Sequence, residues 1–70
     1  MAEKLQISLA AARVNAGLTQ EDVAKTMHVG KQTIGNWEKG KSVVKPAQFE
    51  FLCKLYNISQ DNIFLPKIYT

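Results

Sequence analysis

Helix-breaking residues stand so close together in this chain that neither a long helix nor a sheet of long strands can be threaded between them. Gly17, Gly30, Gly40, Pro46, Asn57 and Pro66 divide it into short blocks. Inside those blocks the apolar residues recur at helical rather than alternating spacing. Leu5, Leu9, Ala12 and Ala16 fall on one face of a first helix, which Gly17 can end in a left-handed conformation. Thr19 caps a second helix, with Asp22 three residues on to complete a variant of the capping box and Val23, Ala24 and Met27 as its apolar face. After a break at His28-Val29-Gly30, a third helix runs from Lys31 to Lys39, with Ile34 and Trp37 inward and Gly40 closing it. The loop Lys41 to Lys45, basic at its ends with Val43 and Val44 inside, leads to Pro46. Proline suits the first turn of a fourth helix, where its missing N–H costs nothing. Phe49, Leu52, Cys53 and Tyr56 line one face of that helix, and Asn57 terminates it. Ser59 is expected to cap a fifth short helix through Ile63, Phe64 and Leu65, stopped by Pro66. No segment has a convincing strand pattern. The expectation is an all-α, compact five-helix bundle, one domain over residues 1–70 with a core at about 5–65 and an apolar tail at 66–70.

A chain this short buries only about 60% of its unfolded surface, so its stability margin is thin. With 46% hydrophobic residues it can still form a core, which argues against disordered and fibrous classes. Cys53 is the single cysteine, so no intrachain disulfide forms, and one His with one Cys cannot make a four-ligand zinc site. Reliance on packing alone suits the cytoplasm. The start Met1-Ala2-Glu3-Lys4-Leu5-Gln6 lacks the features of a signal peptide, and no apolar run approaches the roughly 18–20 residues of a membrane span. There is no Ser/His/Asp or Cys/His grouping and no phosphate-cradling glycine loop. Neither catalysis, a small-molecule substrate, a cofactor nor a metal is expected. His28 reads as a turn residue before a ligand or pH switch, Cys53 as a core filler before a redox sensor, and Trp37, by its helical phase, as core before a base-stacking group.

Charge placement is more informative than the net charge of +3. From Lys25 to Lys45 five lysines (25, 31, 39, 41 and 45) face one acid, Glu38, a surplus of four. The remainder has four basic groups against five acids. Such concentration is the footprint of a phosphate-binding surface, although a solvated lysine-rich face would look the same. On a helical wheel Ile34 and Trp37 point to one side, with Thr33 and Glu38 at the flanks. Gln32, Gly35, Asn36 and Lys39 occupy the opposite arc, and Lys31 lies at its N-terminal end. A B-DNA major groove, about 12 Å wide, accepts a helix of about 10–12 Å diameter. Gln and Asn can pair with adenine N6 and N7, and Lys can donate to guanine O6 and N7.

Two stretches in register make a specific resemblance. Gly17-Leu18-Thr19-Gln20-Glu21-Asp22-Val23-Ala24, followed by Val29-Gly30-Lys31-Gln32-Thr33-Ile34-Gly35-Asn36-Trp37-Glu38-Lys39-Gly40, is similar to the Cro/repressor type of helix-turn-helix protein, also called the xenobiotic-response-element type. The resemblance covers about Leu9 to Leu65. It implies a lambda-repressor-like bundle of bacterial or phage origin with the helix-turn-helix at helices two and three. It also implies sequence-specific binding of double-stranded DNA, as a repressor or other transcriptional regulator. By the same resemblance Lys31, Gln32 and Asn36 would contact bases. Gln20, Thr33, Lys39, Lys41 and Ser42 would contact phosphates, Thr33 alternatively a thymine methyl. Arg13 and Glu38 would form a structural ion pair, and Ala24 would be small to let the two helices approach. The implied partner is a palindromic operator read by a homodimer, formed before or on DNA, with the protein cytoplasmic and nucleoid-associated through DNA.

Three residues depart from the pattern. His28 stands at the turn where glycine is usual, Gly30 where Ser or Thr usually caps the recognition helix, and Gly35 lies inside that helix at a cost of about 1 kcal/mol relative to Ala. These suggest a recognition helix that firms up on DNA. The apolar tail Phe64 to Thr70 folds back on the core or joins a dimer seam. It also keeps open an alternative, an antitoxin or protein-interaction module of the same fold.

Overall fold

The computed structural model describes residues 5–65, and the tail residues Pro66 to Thr70 lie outside them. Four α-helices build the body: α1 (Leu9–Asn15), α2 (Gln20–Met27), α3 (Lys31–Lys39) and α4 (Pro46–Tyr56). Two two-residue strands, β1 (Ile7–Ser8) and β2 (Ile63–Phe64), join the ends of the described chain as a parallel pair, with Ile7 opposite Ile63 and Ser8 opposite Phe64.

This arrangement corrects the expectation of five helices. Ser59 does act as a cap, its hydroxyl accepting from the Asp61 N–H at 3.3 Å. The helix it starts is only a 3-10 turn, Gln60–Asn62, after which the backbone extends into β2. At Ile63 a strand partner and a buried side chain outweigh the one or two further hydrogen bonds that continuing the turn would add. The other end of the chain changes for the same reason. Ser8 caps α1 by accepting from the Ala11 N–H at 3.0 Å, so α1 begins at Leu9. Leu5, expected on its apolar face, is 79% exposed, and Ala16 is the helix's exposed C-cap.

The central helices follow local chemistry closely. At α2 the Thr19 hydroxyl accepts from Asp22 N–H at 3.0 Å, while the Asp22 carboxylate accepts from Thr19 N–H at 2.9 Å, a reciprocal capping box. Those bonds to Thr19 hold the Asp22 carboxyl below the ordinary carboxylate range. His28 ends α2 in the left-handed region, at φ 59° and ψ 42°, and Val29 N–H closes the turn on Ala24 C=O at 3.0 Å. Gly40 ends α3 at φ 77°, where a side chain would be strained. Pro46 opens α4, and Lys45 N–H donates to Gln48 Oε1 at 3.1 Å.

The core gathers buried residues from all four helices and from β2, with the partly buried Ile7 of β1 packed against it. Leu9, Val23, Ile34 and Leu52 are its most completely buried side chains, packed with Ala12, Ala24, Trp37, Val44, Cys53, Tyr56, Ile63 and Leu65. Each fully buried Leu, Ile or Val contributes about 1.5–3 kcal/mol. Ala24 is 4% exposed in α2, which packs against α3. Burial pushes the Cys53 thiol up, as suits a core filler.

Candidate nucleic-acid interface

The phase of α3 is fixed by what it buries. Ile34 and Trp37 are 1% and 3% exposed, three residues apart on the inward face. This anchoring turns Lys31, Gln32 and Lys39 outward and exposed, with Gly35 and Asn36 half-buried between them. These residues, with Gln20 from α2 and Lys41 from the loop beyond Gly40, line one shallow groove. The groove therefore carries three lysines, three amides and no carboxylate among its lining residues. Its volume is about 450 Å³.

The loop that brings Lys41 to the groove is tied to α3 by backbone. The Asn36 carbonyl accepts from Lys41 N–H at 2.9 Å and from Ser42 N–H at 3.3 Å. Ser42 and Thr33 are half-buried and stand outside the lining. Thr33 N–H is bonded to the Gly30 carbonyl at 3.0 Å, and Gly30 has no side chain to cap α3.

Behind the groove lies a polar cluster that joins three helices. Arg13 on α1 donates through Nε to Glu38 Oε2 at 2.7 Å and through Nη2 to Oε1 at 3.4 Å. Its Nη1 donates to the Leu18 carbonyl at 2.9 Å, in the connection between α1 and α2. Gln20 Nε2 completes the Glu38 carboxylate by donating to Oε1 at 3.0 Å. The side chains of Arg13 and Glu38 are 14% and 6% exposed, so the pair lies largely out of solvent. A charge-assisted fork of this kind fixes direction as well as distance, and here it sets the roll of α3 against α1 and α2. Tyr56 on α4 lies near the same cluster. Burial first, then the Glu38 charge, pushes its phenol up to about 12.

Gln20 is the residue whose surroundings the sequence did not foretell. Reading it as a helix-start residue facing a phosphate left out Glu38, which sits 18 positions further along the chain. The available signal was the fork itself: a buried carboxylate taking a guanidinium on one side has lone pairs left for an amide.

A helix-turn-helix family profile matches residues 9–61, and the chain belongs to that family, as a member of its Cro/repressor type. A curated relative, the competence pilus inhibition repressor of Acinetobacter baylyi (strain ATCC 33305 / BD413 / ADP1), is 40% identical over 53 residues, which cover 76% of this chain and 48% of the relative. The chain thus spans about half the length of that relative. No solved structure matches it. Among the described residues no helix is long and apolar enough to cross a membrane.

Proposed function

We propose that this chain binds double-stranded DNA sequence-specifically and regulates transcription, as a repressor, by placing α3 in the major groove. One observation carries the reading. The buried Ile34 and Trp37 force Lys31, Gln32 and Asn36 onto a lysine-rimmed surface without acids. In this reading Lys31, Gln32 and Asn36 address base edges. Lys39 and Lys41 take phosphates on one side of the groove, with Ser42 and Thr33 in supporting positions, as the resemblance implies. A homodimer on a palindromic operator follows from the symmetry that such modules use to read two half-sites. The repressor role draws its support from the relative's name.

Selection of bound sequences from a random duplex library tests the reading and gives the half-site spacing. Gln32→Ala is expected to lower discrimination at one base pair by about 1–3 kcal/mol. Lys41→Ala is expected to weaken binding to all duplexes alike and to reduce the salt slope by about one. Unchanged discrimination in the Gln32 variant removes that residue from the base-reading set. An antitoxin or protein-binding role has one observation in its favour: Phe51 and Phe64, 43% and 56% exposed, lie off the groove. Absence of salt-dependent binding to duplex DNA would favour that second reading.

A further inference from the structure

The amide of Gln20 is held in one orientation by its neighbours. Glu38 Oε1 can only accept, so Gln20 must turn its NH2 group toward it, and Nε2 donates there at 3.0 Å. Arg13 holds the same carboxylate from the other side at 2.7 Å. Gln20 is therefore fixed from behind by a partner that is itself fixed. Its location is defined by Gly35. A Cβ built on Gly35 would lie 3.7 Å from Gln20 Nε2 and 4.0 Å from Oε1. The amide thus rests over bare backbone in the middle of α3, in the groove lined by Lys31, Gln32 and Asn36. A methyl at Gly35 would only touch this amide at ordinary van der Waals distance, so the amide lies directly against α3, in the same groove as Gln32 and Asn36.

One N–H of the amide is spent on Glu38. The second N–H and Oε1 have no bonded partner among the described residues. Together they form a donor–acceptor edge. A phosphate oxygen matches only half of it, because phosphate offers acceptors and leaves Oε1 facing like charge. Adenine matches both halves, with N7 accepting and N6 donating. We propose that Gln20 is a further base-reading residue, presented over Gly35 by Glu38 and specific for an adenine in the major groove. The inference rests on the DNA-binding reading above and goes beyond it, since it assigns readout to a residue outside α3.

The test uses the full chain and the duplex that wild type selects from a random library, together with all single base-pair variants of that duplex. In Gln20→Ala the preference for adenine at one position of each half-site is expected to fall about tenfold, the lower part of the range for an amide–adenine pair. Preferences at other positions, binding to unrelated duplex and the salt slope are expected to stay as in wild type. Gln20→Met, which keeps the chain length over Gly35 but has no amide, is expected to lose the same preference, and circular dichroism checks that it is folded. A uniform loss over all duplexes with a shallower salt slope would assign Gln20 to a phosphate and overturn the proposal. So would an unchanged adenine preference in both variants. A wild-type chain that selects no sequence overturns the DNA-binding reading itself, before any variant is made, so the two failures are distinguishable.

Discussion

Removing Arg13 should cost this domain more stability than removing Arg13 and Glu38 together. The Glu38 side chain is 6% exposed and its carboxylate is held by two Arg13 nitrogens and one Gln20 N–H. In Arg13→Met the aliphatic stem is largely replaced, but the carboxylate stays buried with only an amide to balance it. Breaking a buried pair in this one-sided way costs about 3–5 kcal/mol. The surviving Gln20 bond offsets roughly 1 kcal/mol of that and the Leu18 carbonyl, losing its donor, adds roughly as much, so a net of about 3–5 kcal/mol is expected. At roughly 0.05–0.15 kcal/mol per residue, a chain of 70 residues has on the order of 3.5–10 kcal/mol in total. At the lower end of that range the single variant would be partly unfolded at room temperature; at the upper end it would stay folded with a clearly lowered midpoint. In Arg13→Met/Glu38→Leu the buried charge is gone. What remains unpaired is the Gln20 amide, which can turn to the groove, and the Leu18 carbonyl, giving a net cost of about 1–2 kcal/mol. Urea titrations followed by circular dichroism at neutral pH should place the midpoints in the order wild type, double, single. A single variant within about 1 kcal/mol of wild type would refute the reasoning. A double variant no better than the single would do so as well, by locating the cost in packing instead of in the stranded carboxylate.

Two further outcomes are expected. Tyr56 is 6% exposed and its hydroxyl has no partner among the described residues, so Tyr56→Phe should stabilise by about 1 kcal/mol, a rise in Tm of about 4–8 °C. Because the folded phenol is raised from 10 to about 12, its neutral form contributes stability that is complete below pH 10 and lost as pH rises toward 12. Urea midpoints across that window should fall less in the phenylalanine variant, and an equal fall would show that Tyr56 does not titrate there. His28 adopts φ 59°, a conformation costing roughly 1–2 kcal/mol for an L-residue, so His28→Gly should be neutral to about 1 kcal/mol more stable once the greater freedom of unfolded glycine is counted. Thermal melts check this, and a drop in Tm would mean that the imidazole makes a stabilising contact.

Local chemistry was legible in the sequence wherever the determining residues lie within one turn of each other. The Thr19–Asp22 box, the left-handed ends at Gly17, His28, Gly40 and Asn57, and Pro46 at the start of α4 are all of that kind. The inward pair Ile34 and Trp37 followed from period alone and oriented α3. What failed involved residues far apart in the chain. Strands of two residues carry no alternation to detect, and Ile7 meets Ile63 only because the bundle brings the two ends together. Once that pairing exists, Leu5 leaves the helical face assigned to it and residues 63–64 leave the fifth helix. In the groove, the side chains projecting from α3 could be placed on a wheel, but a wheel of one helix contains nothing of a neighbour. The approach of Gln20 to Gly35 therefore had no signature in the third helix.

The weakness of α3 as an isolated helix is coupled to how firmly it is mounted. Gly30 supplies no side-chain cap, and Gly35 costs about 1 kcal/mol relative to Ala, so nine residues of this composition would not hold a helix alone in water. Three attachments compensate: the buried Ile34 and Trp37, the Glu38 fork to Arg13 and Gln20, and the Asn36 carbonyl that binds the loop after Gly40. Trp37, the fork and the Asn36 carbonyl all lie beyond the middle of the helix, and only Ile34 lies before it. The first turn, which carries Lys31 and Gln32, is held beyond the helix's own hydrogen bonds by the Thr33 to Gly30 backbone bond and the packing of Ile34. Order in α3 should therefore increase from its N-terminus to its C-terminus. In the proposed reading Lys31 and Gln32 would pay part of their ordering entropy on binding, whereas Asn36 and the loop lysines start from a fixed frame. On the proposed DNA-binding reading, that gradient suits a helix with a glycine cap and one internal glycine to recognition: the fork and the aromatic anchor hold its direction, and the end proposed to meet the bases keeps room to adjust.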